Sequence, residues 1–437
     1  MSLVEHFGAE HARLAAQLPG AGHPAVDSVR GAALARFRSQ GLPQTRLEDW
    51  KYTSLAGLEH KPLPVAASAG SLTAGQLAAQ AALPQAVHRL VFIDGHFAPE
   101  HSFHQLPAGA LAASLAARLA AAPQDGLPAD DPAASALSAL NLAFSADGLE
   151  LEVAAGVVVE QPILLLWVGS QPEHSTFPAL RVRLGQGARA CLVEQHLSLH
   201  AGTAVNTAVA RISLAGQAEL QHIKVQAEGP RVVHLSDCAV ELAAGARLRS
   251  LVLALGGQLG REDLRIALQG RNAAAELDGL YLARGRRHLD HHTTVVHASP
   301  DCSSRQDYRG IIDDAARAVF NGRVVVARDA QHTDAQQTNA NLLLSDAAEI
   351  DTKPQLEIFA DDVRCSHGAT VGQLDAAELF YLRSRGLDEA QARTLVTFAF
   401  AARCLAPVPA GTPLHDGLRR LLLAALPGGE QLENLTP

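Results

Sequence analysis

Four stretches decide how this chain folds: LGQGARACLVEQ (184–195), LAGQAELQHIKV (214–225), LAAGARLRSLVL (242–253) and LQGRNAAAELDGLYL (268–282). Each runs from a leucine through a small-residue turn into a short run of small and β-prone residues. Helical periodicity is missing from the whole region between about 150 and 350. The units recur at a spacing in the range that marks repeat architectures, and no helix separates them, which favours stacked β coils over helical repeats. The physical reason is that one coil cannot bury its inward face alone, whereas stacked coils share a continuous core. Regularly spaced glycine turns also suit a β-sandwich of hairpins, which is the competing fold. The expected fold is mainly β, a parallel β-helix (solenoid) over 150–372, flanked by a mostly helical N-terminal region (1–149) and a C-terminal helical domain (373–437).

The flanks carry helix signals. VDSVRGAALARFRSQG (26–41) ends on Gly41 with Pro43 just beyond. LTAGQLAAQAAL (72–83) and AGALAASLAARLAAA (108–122) both stop before a proline and read as helices. Asp131 and Pro132 read as the N-cap and first residue of a further helix. HRLVFIDGHF (88–97) reads as a strand with an Asp-Gly turn. Near the C-terminus, Asp375 can cap LDAAELFYLRSRG, ending at Gly386, and two amphipathic segments follow at 388–406 and 413–426. Their apolar face (Leu379, Phe380, Leu395, Val396, Phe398 and Phe400) either packs on the solenoid or docks a partner.

Composition excludes several functions. Of 437 residues, 48% are hydrophobic and 19% charged, and the net charge is −9, so the chain can bury a core, and no basic block interleaved with aromatics points to nucleic acid. Lysine occurs only at Lys51, Lys61, Lys224 and Lys353. No run reaches the roughly 18 apolar residues of a membrane span, and the first residues do not read as a signal peptide. The five cysteines (Cys191, Cys238, Cys302, Cys365, Cys404) are scattered and odd in number, as expected of reduced thiols in a cytoplasmic protein. No Walker A loop, G-x-S-x-G elbow or H-E-x-x-H occurs.

Chemistry can sit in two places. If 355–371 is a strand, Cys365 and His367 share one face and Ser366 faces away. Thiolate and imidazole both suit iron and zinc, but two donors do not close a site, so others must come from elsewhere in the chain or from a partner. A core role and a Cys/His nucleophile pair are the alternatives. The second place is RRHLDHHTTVVH, with His288, His291, His292 and His297. Strand alternation puts His291 and His292 on opposite faces, which leaves plain stacking of imidazoles along the solenoid as the expected arrangement.

Residues 308–386 carry the blocks FNGR, TDAQQTNANLLLS, TKPQLEIFADDVRCSHGATVG and LFYLRSRG, and residues 42–55 read LPQTRLEDWKYTSL. These strongly resemble the SufB/SufD family of iron–sulfur cluster assembly proteins, and the resemblance covers nearly the whole chain. The SufB branch typically has Glu-His-Glu where this chain has Cys365-Ser366-His367-Gly368, which places the chain nearer the SufD branch. The resemblance implies a right-handed parallel β-helix and a non-catalytic scaffold subunit of a SufBCD complex. In that complex SufC binds and hydrolyses ATP and docks on the C-terminal helices, here around Leu379, Phe380, Leu395 and Phe398. A transient iron–sulfur cluster forms at the SufB–SufD interface, with His367 and Cys365 at the matching positions. Sulfide arrives through SufB from a cysteine desulfurase, and flavin binding by the complex is left open. Two rival readings stand beside this one. One is a stand-alone homodimeric iron or iron–sulfur carrier. The other is a polysaccharide-cleaving β-helix enzyme, which the missing export signal and calcium-type loops disfavour.

Overall fold

The computed structural model describes residues 2–59, 61–125, 127–128, 134–429 and 432. Its centre is a parallel β-solenoid of about eight turns. The strands form two facing ten-stranded sheets. From Arg189–Ser198 onward, consecutive strands alternate between the sheets and pair in parallel with the strand one coil away.

The repeat seen in the sequence has a direct physical counterpart. Its leucines form one inward column, because Leu184 registers with Leu214, Leu214 with Leu242, and Leu242 with Leu268. The column continues through His297, Val326 and Ile358. Every member is buried except the last. After each leucine the chain turns through one residue with left-handed backbone: Gly187, Gln217, Gly245 and Asn272, all with φ between 60° and 68°. Glycine adopts this conformation without strain, and asparagine is among the side chains that tolerate it best. The turns stack on one another. Gly187 N donates to Gly216 O, Gln217 N to Ala244 O and Gly245 N to Arg271 O, each at 2.9 Å. The next residue points inward at the corner, and it is alanine at 188, 218, 246 and 273, each wholly buried. A larger side chain there would push neighbouring coils apart, which explains the small residues after each turn.

The N-terminal region wraps one end and one outer face of the solenoid. His88–Ile93 turns at Asp94-Gly95 into His96–Phe97 and extends one sheet by pairing in parallel with Ile163–Gly169. The helix Pro24–Gln40 ends on Gly41, whose φ is 67°. The alanine-rich stretch 108–122 is not one helix. Ala110–Ser114 is a strand antiparallel to Leu149–Val153, and only Leu115–Ala121 is helical, capped by the Ser114 hydroxyl. Alanine tolerates either state, so the edge of the neighbouring sheet decides. The helix Ala136–Phe144 starts at Ser135, which accepts from Ser138 N; Asp131 and Pro132 lie outside the described residues. Residues 42–55 clamp the solenoid wall: Trp50 lies 3.8 Å from the Arg261 guanidinium, Arg261 Nη1 donates to Asp49 O at 2.8 Å, and Thr53 Oγ1 donates to Asp290 Oδ2 at 2.5 Å.

At the other end, Ala376–Ser384, Glu389–Ala402 and Pro413–Ala425 follow the last coil, capped by Asp375, Asp388 and Thr412. The last two cover a sheet, where Ala401, Cys404, Leu414, Leu418 and Leu422 pack with Val193, Ile223, Leu251 and Ile311.

The leucine column yields a prediction. Leu242→Ala, which empties a lumen position, should cost about 2–5 kcal/mol. Glu241→Ala, facing solvent on the same strand, should stay within about 0.5 kcal/mol. Urea unfolding midpoints of the two variants check this, and equal midpoints would contradict it.

Candidate functional site at the open end of the solenoid

Residues 355–371 do not form a single strand. Glu349–Ile358 ends one sheet and Arg364–Gly372 ends the other, with a corner at 359–363 between them. The corner stacks on the one below, where His332 N donates to Asp362 O at 2.6 Å and Asp362 N to Gln331 Oε1 at 2.9 Å. Cys365 and His367 both lie on the second strand, in register with Ala335 and Gln337. Those two face the lumen and are buried, so Cys365 and His367 point along the same inner face, while Ser366 sits over the exposed Gln336. Cys365 is half-buried against Val324, Val326, Ala330 and Ala335. Burial pushes its thiol pKa up, and the nearby Asp334 carboxylate adds to the shift. His367 is exposed. Directly beneath it, both polar atoms of the buried Gln337 amide lack a hydrogen-bond partner among the described residues.

What exposes His367 is that the ladder stops. Both final strands are sheet edges, each presenting a row of peptide groups that no further strand among the described residues pairs. Ile358, Phe359 and Val371 are 42%, 62% and 51% exposed there. The lumen just inside is polar. Tyr281 Oη donates to Asn341 Oδ1 at 2.5 Å, Asn341 Nδ2 to Asn339 Oδ1 at 2.6 Å, and Thr352 Oγ1 to Asn339 Oδ1 at 2.9 Å. Among the described residues, the one group of three His, Cys, Asp or Glu whose ligand atoms all lie within 4.8 Å of one another is elsewhere, at His196, Glu228 and His234. Cys365 and His367 therefore offer one sulfur and one imidazole on an unfinished wall.

The strand His288–His297 splits its histidines between two faces. His291 and His297 enter the lumen, where His291 stacks on Tyr281 with ring centroids 5.1 Å apart and His297 Nε2 lies 2.8 Å from Ser304 Oγ. His288 and His292 face outward under the N-terminal clamp. His288 Nε2 is 2.8 Å from Thr53 Oγ1 and His292 Nε2 is 3.0 Å from Asp290 Oδ1. They do not stack as one row, because each outward ring is drawn to a polar partner on its own side. Asp290 is wholly buried between Arg261 (2.7 Å), Thr53 and His292, and their positive charge and hydrogen bonds hold its carboxyl far below the usual range despite burial.

The apolar face of the C-terminal helices divides as well. Phe398 and Phe400 pack against the core beneath. Leu395, Val396 and another side of Phe400 line a groove of about 860 Å³ together with Val371, Tyr381 and Leu382. Leu379 is half-buried and Phe380 is 74% exposed. One group escaped the sequence reading entirely: Glu194, His196, Glu228 and His234, drawn from separate strands and a turn into the lumen. Its only trace in the sequence is the polar run Glu194-Gln195-His196 inside an otherwise apolar strand.

Comparison with known proteins adds a family. Residues 167–400 match the family described as SUF system FeS cluster assembly, SufBD core domain, and residues 3–165 match the SufBD protein N-terminal region. The chain is 35% identical over 404 residues to the iron-sulfur cluster assembly protein SufD of Escherichia coli, covering 91% of this chain and 92% of that protein. It is 34% identical to a SufBD family protein of Synechocystis, covering 88% of this chain and 87% of that protein. A SufBD family protein of Mycobacterium tuberculosis is 33% identical, covering 65% of this chain and 72% of its own length.

The lumen histidines predict a pH response. Burial pushes His291 and His297 down to about 4. In the fold they stay neutral while the unfolded chain takes up protons below about pH 6.5. Their contribution to stability is complete above about pH 6.5 and falls as pH drops toward about 4. Urea unfolding should show a loss on the order of 2–3 kcal/mol per residue across that window. His297→Asn should flatten part of the slope, and an unchanged slope would contradict the assignment.

Proposed function

The chain belongs to the SufBD family of iron–sulfur cluster assembly proteins, and from that premise we propose that it is the SufD-type scaffold subunit, completed at the open end of its solenoid by a SufB-type chain. One observation carries the reading. The inward column that begins at Leu184 ends at the exposed Ile358, beside an unpaired edge that displays Cys365 and His367. A partner whose own terminal coil stacked there would bury Ile358 and Phe359 and pair both edges, as coils do within the chain. The same contact would bring further donors to Cys365 and His367.

The nascent iron–sulfur cluster is the cargo of this site. His367, exposed and pointing into the shared space, is the natural first donor. Cys365 is held as a thiol by its surroundings, so it becomes a ligand only when bound iron lowers its pKa. The exposed Phe380 and the groove beside it support docking of a separate ATPase, SufC, which would supply ATP hydrolysis and move the interface. Sulfide would come through SufB from a cysteine desulfurase. The open end also fits a second copy of this chain, which is the homodimeric carrier reading.

Two experiments test the proposal. His367→Ala, expressed in cells lacking the native subunit, should still assemble the complex but lower cluster delivery ~10-fold or more; full delivery would remove His367 from the site. Phe380→Asp should leave thermal unfolding unchanged and weaken ATPase co-purification ~10-fold or more, the loss expected of an interface hot spot. Undiminished co-purification would move the docking surface elsewhere.

A further inference from the structure

A second cluster of buried ionisable groups stands apart from the open end. It lies in the lumen, where Arg189–Ser198 and the turn after Glu219–Ala227 face Val232–Leu242. In sheet order Arg189–Ser198 stands six strands from Arg364–Gly372, about 29 Å at ~4.8 Å per strand. Here Glu194 receives two imidazoles, His196 Nε2 at 2.8 Å and His222 Nε2 at 2.9 Å. His196 Nδ1 is then left with no hydrogen-bond partner among the described residues. Across the lumen, His234 Nδ1 is 2.9 Å from Glu228 Oε2, yet neither ring nitrogen of His234 completes a hydrogen bond among the described residues. Glu228 also accepts from Gln226 Nε2 at 2.8 Å and from Asn206 Nδ2. The rings of His196 and His234 meet nearly at right angles, with centroids 4.6 Å apart. One ligand atom from each of His196, Glu228 and His234 lies within 4.8 Å of the others. All three side chains are 2% exposed or less.

Charge makes this arrangement costly as it stands. Two buried carboxylates, Glu194 and Glu228, face three imidazoles. Lys224, the nearest ammonium, is committed to Glu262 and Ser236 at 2.6 Å each. Buried charges persist when they are paired or bind a cation. The Glu194–His196 contact supplies the arrangement that orients metal-bound imidazoles, a carboxylate holding one ring nitrogen so that the other is free to ligate.

We propose that His196, Glu228 and His234 form a binding site for a divalent first-row transition-metal ion such as Zn(II) or Fe(II), with Glu194 as the carboxylate that orients His196. Two imidazoles and a carboxylate suit these ions, and a fourth position is left for water. Ligation at ~2.1 Å draws the three donor atoms to about 3.5 Å apart, a side-chain adjustment with no change of coil. The ion is structural: it ties two facing strands to the turn that leads from Glu219–Ala227 into Val232–Leu242. The three side chains are almost wholly buried, so bound metal exchanges slowly.

The test uses the full-length chain, produced in medium supplemented with Zn(II) or Co(II) and dialysed against EDTA. Elemental analysis should find about one equivalent of metal per chain, and the Co(II) form should show visible d–d absorption of a nitrogen–oxygen site. Glu228→Gln and His234→Asn should lower the retained metal ~10-fold or more, and Glu194→Gln should weaken it ~10–100-fold. His367→Ala should retain the full equivalent, which separates this site from the open-end reading. If the variants fail to fold, the wild-type Co(II) spectrum alone decides. A folded wild-type chain without retained metal, or metal that survives both ligand substitutions, would overturn the proposal.

Discussion

The parallel ladder imposes the constraint on which everything else depends. Each coil satisfies its peptide groups and covers its inward side chains only by lying against the next. Within the chain this is met at every step from Leu184 to Val326, with the turn residues stacked and the corner alanines wholly buried. At Glu349–Ile358 and Arg364–Gly372 it is not met, and the same column that is closed throughout surfaces at Ile358. The opposite end is treated differently: His96–Phe97 and Ala110–Ser114 pair antiparallel there, and the N-terminal helices cover the wall. One end is capped and the other is left open, and the open end is the one that carries Cys365 and His367.

The solenoid was legible because its repeat is a steric necessity. A leucine, a left-handed turn residue and an alanine recur because each has one place in the coil that few other residues can fill. The relation of Cys365 to His367 was legible for the same reason, since strand alternation fixes the face whatever the strand's ends. The break at 359–363 was not, because a corner of ordinary residues carries no glycine or proline to mark it. The strand Ala110–Ser114 was misread as helix because alanine's preference is overridden by a neighbouring sheet edge. The C-terminal face looked uniform in sequence, yet Phe398 and Phe400 serve the molecule's own core while Phe380 stands free. Amphipathicity alone does not distinguish a helix that packs at home from one that waits for a partner.

The lumen shows the reverse of what a simple hydrophobic core would predict. Polar and charged side chains line long parts of it, from Glu194 through Lys224, Glu262 and His291 to Asn339 and Asn341. Single changes here would strand buried charges. The polar lumen also means that the histidines split by strand alternation at 288–297, and those gathered by coiling at 196 and 234, have distinct fates. His292 meets Asp290 on the outer face, whereas His196 and His234 gather with Glu228 inside the lumen.

The central claim is that the last coil awaits a neighbouring chain. Hydrogen–deuterium exchange of the peptides spanning Glu349–Gly372, measured on the isolated chain and again with the SufB-type partner, tests it most directly. The account predicts fast exchange of about half the amides of these edge strands in isolation and strong protection in the complex, with little change at the leucine column further in. Equal exchange in both states, or protection appearing only at the opposite end, would contradict it.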